Sequence, residues 1–188
     1  MYGLSNSQTG MVLLALAIGA LLAMPFTGWL IVKNGSERVT IVSAMLFTAL
    51  IPVIPLMGTV FLLTVLFFLV GISTGVLDVA MNAQAVLVEK DYNKPIMSSF
   101  HAVFSGGMMV GAGTGALFTK WDNPLLVHFL AMSILGIILV VWSNYHLVSD
   151  TPKEQEDDQG PAFQLPSRAL IGIGIITFCC MLGEGAMA

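Results

Sequence analysis

Long apolar runs separated by short polar breaks make up nearly the whole chain. The runs fall at 9–32, 39–57, 59–88, 98–119, 124–147 and 169–188. Each is near or above the ~20 residues a helix needs to cross the hydrocarbon core of a bilayer. None shows the alternation of polar and apolar positions that marks a barrel strand. The pattern predicts an all-α fold, a polytopic transmembrane helical bundle of about six membrane segments. Two of the breaks are very short, one centred on Gly58 and one formed by Lys120-Trp121-Asp122-Asn123. Tight hairpins of this kind make sequential helices antiparallel neighbours.

One break is long. Residues 148–168 hold Asp150, Glu154, Glu156, Asp157 and Asp158 with Pro152, Pro161 and Pro166, the composition of a loosely ordered hydrophilic linker. The expected organisation is a bundle at 1–147, a cytoplasmic acidic linker at 148–168 and the start of a second bundle at 169–188. Residues 1–8 carry no basic region ahead of the first run, so no signal peptide is visible. A first helix running inward needs its amino end outside, which leads us to expect one more helix ahead of it. The last run stops at Ala188, and we expect it to belong to a longer second half, lost through a truncated gene or by trimming.

Composition and charge placement extend this picture. Of 188 residues, 56% are hydrophobic and 10% charged, and the mean hydropathy is +0.89, whereas about a quarter of an average soluble domain is charged. If the first run points inward, Lys33, Arg38, Lys90, Lys94, Lys153 and Arg168 share one side and only Lys120 lies on the other. The positive-inside rule makes the crowded side cytoplasmic. Trp29, Trp121, Trp142 and Tyr145 stand near run ends, as an interfacial aromatic belt requires. The net charge of −4 comes mostly from the acidic linker.

Several kinds of chemistry find no support. Cys179 and Cys180 are adjacent, with no second pair and no histidine at metal-ligand spacing. The methionines are scattered through apolar runs as gap fillers. No phosphate loop, nucleophile elbow or zinc-protease signature is present. The chain reads as neither an enzyme nor a nucleic-acid binder, and it implies no cofactor or metal. Its expected partners are the lipid bilayer, a small solute with a proton, and the missing helices of the same bundle.

The candidate site starts from the lone acid of the 59–88 run, Asp78, with Asn82 four residues on. A helical turn apart, they share a face. An ionisable group at this depth faces a protein interior or a water-filled cavity. There Asp78 reads as a proton or solute ligand, or else as a structural acid paired to a neighbouring helix. Asn82 offers donors and acceptors to a hydroxylated solute. His101 reads equally as a proton relay and as an interfacial hydrogen bonder. Glu184, between Gly183 and Gly185, is a second membrane acid that would line the other half of the cavity. His128 and His146 read as packing and interface residues. Gly71 with Gly75, and Gly107 with Gly111 and Gly115, repeat every four residues, the spacing of close helix approach.

These residues resemble a known family. Tyr2-Gly3-Leu4-Ser5-Asn6-Ser7-Gln8-Thr9-Gly10 resembles the outer loop before the second helix of the major facilitator superfamily. Gly28-Trp29-Leu30-Ile31-Val32-Lys33-Asn34-Gly35 is similar to the signature between its second and third helices, with Val32 in place of the signature's aspartate and Ser36 in place of its usual arginine. Val76-Leu77-Asp78-Val79-Ala80-Met81-Asn82 and Ser99-Phe100-His101-Ala102-Val103-Phe104-Ser105-Gly106-Gly107 resemble the fourth and fifth helices of its fucose-permease-like sugar–proton symporters. The resemblance covers essentially the whole chain as helices two to seven. It implies a secondary active transporter of the bacterial inner membrane, moving a small polar solute with protons by alternating access, with Asp78, Asn82, His101 and Glu184 at its site. A second reading, from a different class, is a non-transporting membrane fragment or partner of another membrane chain. A channel would need a selectivity ring that the sequence lacks.

Overall fold

The computed structural model describes residues 3–121, 124–150, 171–172, 174–176 and 178–179. Ser5 opens α1 (Asn6–Asn34) with a capping box. Its hydroxyl accepts from the Gln8 N–H at 3.3 Å, and the Gln8 side chain accepts from the Ser5 N–H at 3.0 Å, so two amides that a helix start leaves open are satisfied. Gly35 stops α1 with φ +82°, where a side chain would be strained. The next residue begins α2 (Ser36–Leu50), which tightens into a 3₁₀ turn at Ile51–Leu56. Pro52 and Pro55 cause the change, because neither can donate to an α-helical ladder. Thr59 caps α3 (Val60–Tyr92) by accepting from the Leu62 N–H at 3.2 Å, and Asn93 closes it in the left-handed conformation. Two further helices follow, α4 (Met97–Lys120) and α5 (Leu125–Asn144).

The fold is all-α, with no strand among the described residues. Five segments are long and apolar enough to cross a membrane: Asn6–Asn34, Ser36–Leu56, Val60–Tyr92, Met97–Lys120 and Leu125–Asn144. They coincide with the first five predicted runs. Most of the sixth run lies outside the described residues. The chain divides into two compact units, Met1–Lys153 and Glu154–Ala188; the described residues of the second are helical and exposed.

Within the first unit α3 is the axis. Both α1 and α2 pack mainly against it, and α5 packs on α2 and the 3₁₀ turn. Small residues let the α1 and α3 backbones meet. A Cβ on Gly75 would lie 2.6 Å from the Ala20 carbonyl oxygen, one on Gly71 would collide with the Leu16 backbone, and one on Gly19 with that of Phe68. This is the close approach that the Gly71–Gly75 spacing predicts. The glycines of α4 correct the parallel expectation. A Cβ at Gly107 or Gly111 meets nothing within 4 Å, and at Gly115 the nearest group is His128 Nε2 at 3.9 Å. The physical reason is that α4 touches α3 and α5 at few points and has no buried residue.

Three of the buried hydroxyls are satisfied inside their own helices, as a membrane interior favours. Thr27 donates to the Ala23 carbonyl, Ser43 to Val39 and Ser73 to Val70. Large apolar side chains such as Leu21, Phe61, Val103 and Trp142 are instead exposed. Helices with an apolar outer surface suit lipid rather than water.

Candidate functional site

A cavity of about 710 Å³ opens between α3, α4 and the residues closing α5, within the range usual for small-molecule sites. From α3 come Asp78, Met81, Asn82 and Ala85, which recur at helical spacing and so share a face. From α4 come Phe100, His101 and Phe104, and from the end of α5 Ser143 and His146. Three of the sequence-predicted site residues, Asp78, Asn82 and His101, are therefore on one cavity wall or another. The fourth, Glu184, lies outside the described residues.

The side chain of Asp78 is exposed toward the cavity, one of the two surroundings that an ionisable group at this depth calls for; α4 touches α3 at few points. Asn82 orients it from the same helix: Asn82 Nδ2 donates to the Asp78 carbonyl oxygen at 2.8 Å and to the carboxylate Oδ1 at 3.3 Å. One carboxylate oxygen is thus held while the other has no protein partner among the described residues. His101, also exposed, faces the cavity from the first turns of α4. Phe100 and Phe104 give the site an apolar side.

His146, which the sequence reads as a packing and interface residue, also lines this cavity. Its ring packs on Trp142 with centroids 5.0 Å apart, and Nδ1 lies 3.3 Å from the Trp142 carbonyl oxygen. With Nδ1–H donating there, Nε2 is left as an acceptor. Its position four residues after Trp142, at the end of an apolar run, was the available signal. His128 packs between Phe118 and Phe129, with ring centroids 4.6 and 5.7 Å away.

Beneath the cavity lies a hydrogen-bond network that sequence reasoning did not anticipate. The buried Gln84 donates to Ser36 Oγ at 2.7 Å and to the Val148 carbonyl at 2.9 Å, and accepts from the Val148 N–H at 3.0 Å. The Ser36 hydroxyl donates in turn to the Asp150 carboxylate. The same carboxylate accepts from the Ser36 N–H at 2.8 Å and the Glu37 N–H at 3.3 Å. Val148 and Asp150, expected at the start of a loose linker, are fixed to the bundle. Ser36 stands where the signature usually has arginine, and a hydroxyl with two backbone amides holds the acid there. Desolvation works to raise the Asp150 pKa, but the hydrogen bonds from Ser36 and Glu37 together outweigh it and hold the carboxyl below its ordinary 3.8. Glu89 plays a matching part at α4, accepting from the Ile96 and Met97 N–H groups at 2.9 Å each. Among the described residues no cluster of His, Cys, Asp and Glu could hold a metal ion.

Five helices long and apolar enough to cross a membrane, with polar side chains gathered in a cavity between them, define a multi-pass helical membrane protein. Residues 1–187 match the family model described as Major Facilitator Superfamily. The chain belongs to that superfamily. It is 37% identical over 186 residues to an uncharacterized MFS-type transporter of Yersinia pestis, a match covering 98% of this chain and 47% of that protein. It is 35% identical over 190 residues to an uncharacterized transporter of Sinorhizobium fredii, covering 98% and 48%. With the membrane protein MosC of Rhizobium meliloti it shares 31% identity over 194 residues, covering 100% and 45%. The chain spans about half the length of these curated relatives. No solved structure matches it significantly. Family membership points to a transporter rather than an enzyme.

Proposed function

We propose that this chain works as part of a secondary active transporter of the bacterial inner membrane. It moves a small polar, sugar-like solute by alternating access, with protons coupled through Asp78. The observation that carries the reading is the meeting of Asp78, Asn82 and His101, two of them on α3 and one on α4, around one cavity of solute size. The resemblance of residues 76–82 and 99–107 to the fucose-permease-like symporters supports the same choice of solute.

In this reading Asp78 takes a proton from the side on which the cavity is open and becomes neutral. The solute then binds through hydroxyls to Asn82, His101 and the free carboxyl oxygen, with an apolar ring face on Phe100 and Phe104. The neutral, loaded cavity crosses the closed state at lower electrostatic cost than one holding an unpaired charge. Opening on the other side releases solute and then proton. The two halves around such a site rock about it, as in other secondary transporters.

The test is a chimera in which this chain replaces the matching region of the Yersinia pestis relative, reconstituted in liposomes and screened with hexoses under an imposed pH gradient. The chimera should accumulate at least one sugar against its gradient. Asp78→Asn should abolish that accumulation while preserving solute exchange, because an amide resembles a protonated acid but cannot carry a proton. Undiminished uphill uptake by the variant would remove Asp78 from the mechanism.

A further inference from the structure

A second cavity, of about 380 Å³, lies between α1, α2 and α3, away from the site around Asp78. Leu30 of α1, Val39, Val42 and Leu46 of α2, and Ile72 and Val76 of α3 make its walls apolar. Polar groups are concentrated near one end. There Arg38, in the first turn of α2, and Asn34, in the last turn of α1, stand at the mouth. Ser43 and Ser73 also touch the cavity, but their hydroxyls are committed to the Val39, Thr40 and Val70 carbonyls of their own helices.

Arg38 is exposed and forms no hydrogen bond or ion pair among the described residues. The acids nearby are otherwise placed. Asp150 is held on the α2 amides and the Ser36 hydroxyl, and Glu37 does not line the groove. Asn34 spends one side-chain N–H on the Leu30 carbonyl at 2.9 Å, which leaves its second N–H free. Lys33 lies over the Trp29 ring, 5.1 Å from its centroid. The antiparallel order of the helices puts this mouth at the end of the bundle that also carries Lys33, Lys90 and Lys94. A groove that is apolar along its length and cationic at its membrane-surface end has the shape and polarity of one amphiphile with an anionic head.

We infer that the α1–α2–α3 groove is a binding site for an anionic phospholipid, its acyl chain lying along Val42, Leu46 and Ile72 and its phosphate held by Arg38 and Asn34. Charge complementarity selects this occupant. A neutral helix of another protein would leave the guanidinium unpaired, whereas basic pockets between helices at the membrane surface suit acidic headgroups. The inference does not depend on which solute the other cavity takes.

Native mass spectrometry of the purified chain in micelles doped with phosphatidylglycerol or phosphatidylcholine of matched acyl chains tests it. The native chain should retain phosphatidylglycerol over phosphatidylcholine by about fivefold, the contribution of one basic residue near an acidic headgroup. Arg38→Gln should remove the preference. Lys94→Gln, which deletes an equal charge away from the groove, should keep it. Val42→Trp, which fills the groove and leaves Arg38 in place, should reduce retention of both lipids and serves if Arg38→Gln loses its helical content. Equal retention of the two lipids by the native chain would overturn the inference. So would a preference that survives Arg38→Gln, or retention of both lipids left unchanged by Val42→Trp.

Discussion

Asp150 and Glu89 do the same work at two turns of the bundle. Each carboxylate accepts the N–H groups that a helix start leaves without partners, Asp150 at α2 and Glu89 at α4. A negative charge there also meets the positive end of the helix dipole. Asp150→Asn keeps the shape of the side chain and removes the charge, so it should lower stability by about 0.3–1 kcal/mol at neutral pH. The folded carboxyl lies below its ordinary 3.8. Its contribution is therefore complete above that pH and is lost as acid protonates the folded carboxylate. Unfolding in detergent across a pH series should show the gap between native and variant chains closing in acid; a gap of constant size would refute the role. Residue identity alone could reveal Asp78 and Asn82, since both lie in one apolar run. It could not reveal the parts of Asp150 or His146, whose partners or cavity neighbours lie in other helices.

Among elements, the contrast between α3 and α4 separates what spacing implies from what packing delivers. Both carry glycines four residues apart, yet only those of α3 touch another backbone. Gly75→Ala puts a methyl group against the Ala20 carbonyl oxygen, where its Cβ would stand at 2.6 Å. Forcing α1 and α3 apart should cost about 1–3 kcal/mol. Gly111→Ala adds the same atom where nothing lies within 4 Å, and it should be neutral or stabilising because alanine favours helix. Thermal unfolding of the two variants side by side checks the assignment. Equal losses would show that α4 is packed as tightly as α1. A motif of small residues records that a face is smooth, and whether a partner lies on it depends on the rest of the fold.

For the whole molecule, the orientation in the membrane is the property most open to test. The helix order puts Lys33, Arg38, Lys90 and Lys94 at one end of the bundle and Lys120 at the other, and the positive-inside rule assigns the first end to the cytoplasm. In a chain with Cys179 and Cys180 replaced, Lys94→Cys should be protected in intact cells from a membrane-impermeant thiol reagent. Gly58→Cys, at an exposed turn on the opposite end, should be labelled. The reverse pattern would invert the assignment and place the Arg38 mouth of the lipid groove outside.

The sequence by itself determined the class, the number and limits of the first five membrane helices, and the superfamily. Hydropathy and turn chemistry act over stretches of one helix, so they are readable without knowing what packs where. It also placed Asp78 beside Asn82, because four residues make one helical turn. Only the tertiary structure decided that His101 and His146 line the same cavity as that pair. It alone brought together Gln84 with Ser36 across 48 positions, and Ser36 with Asp150 across 114. Pairings over such separations depend on which helix faces meet, and no stretch of a single helix specifies that.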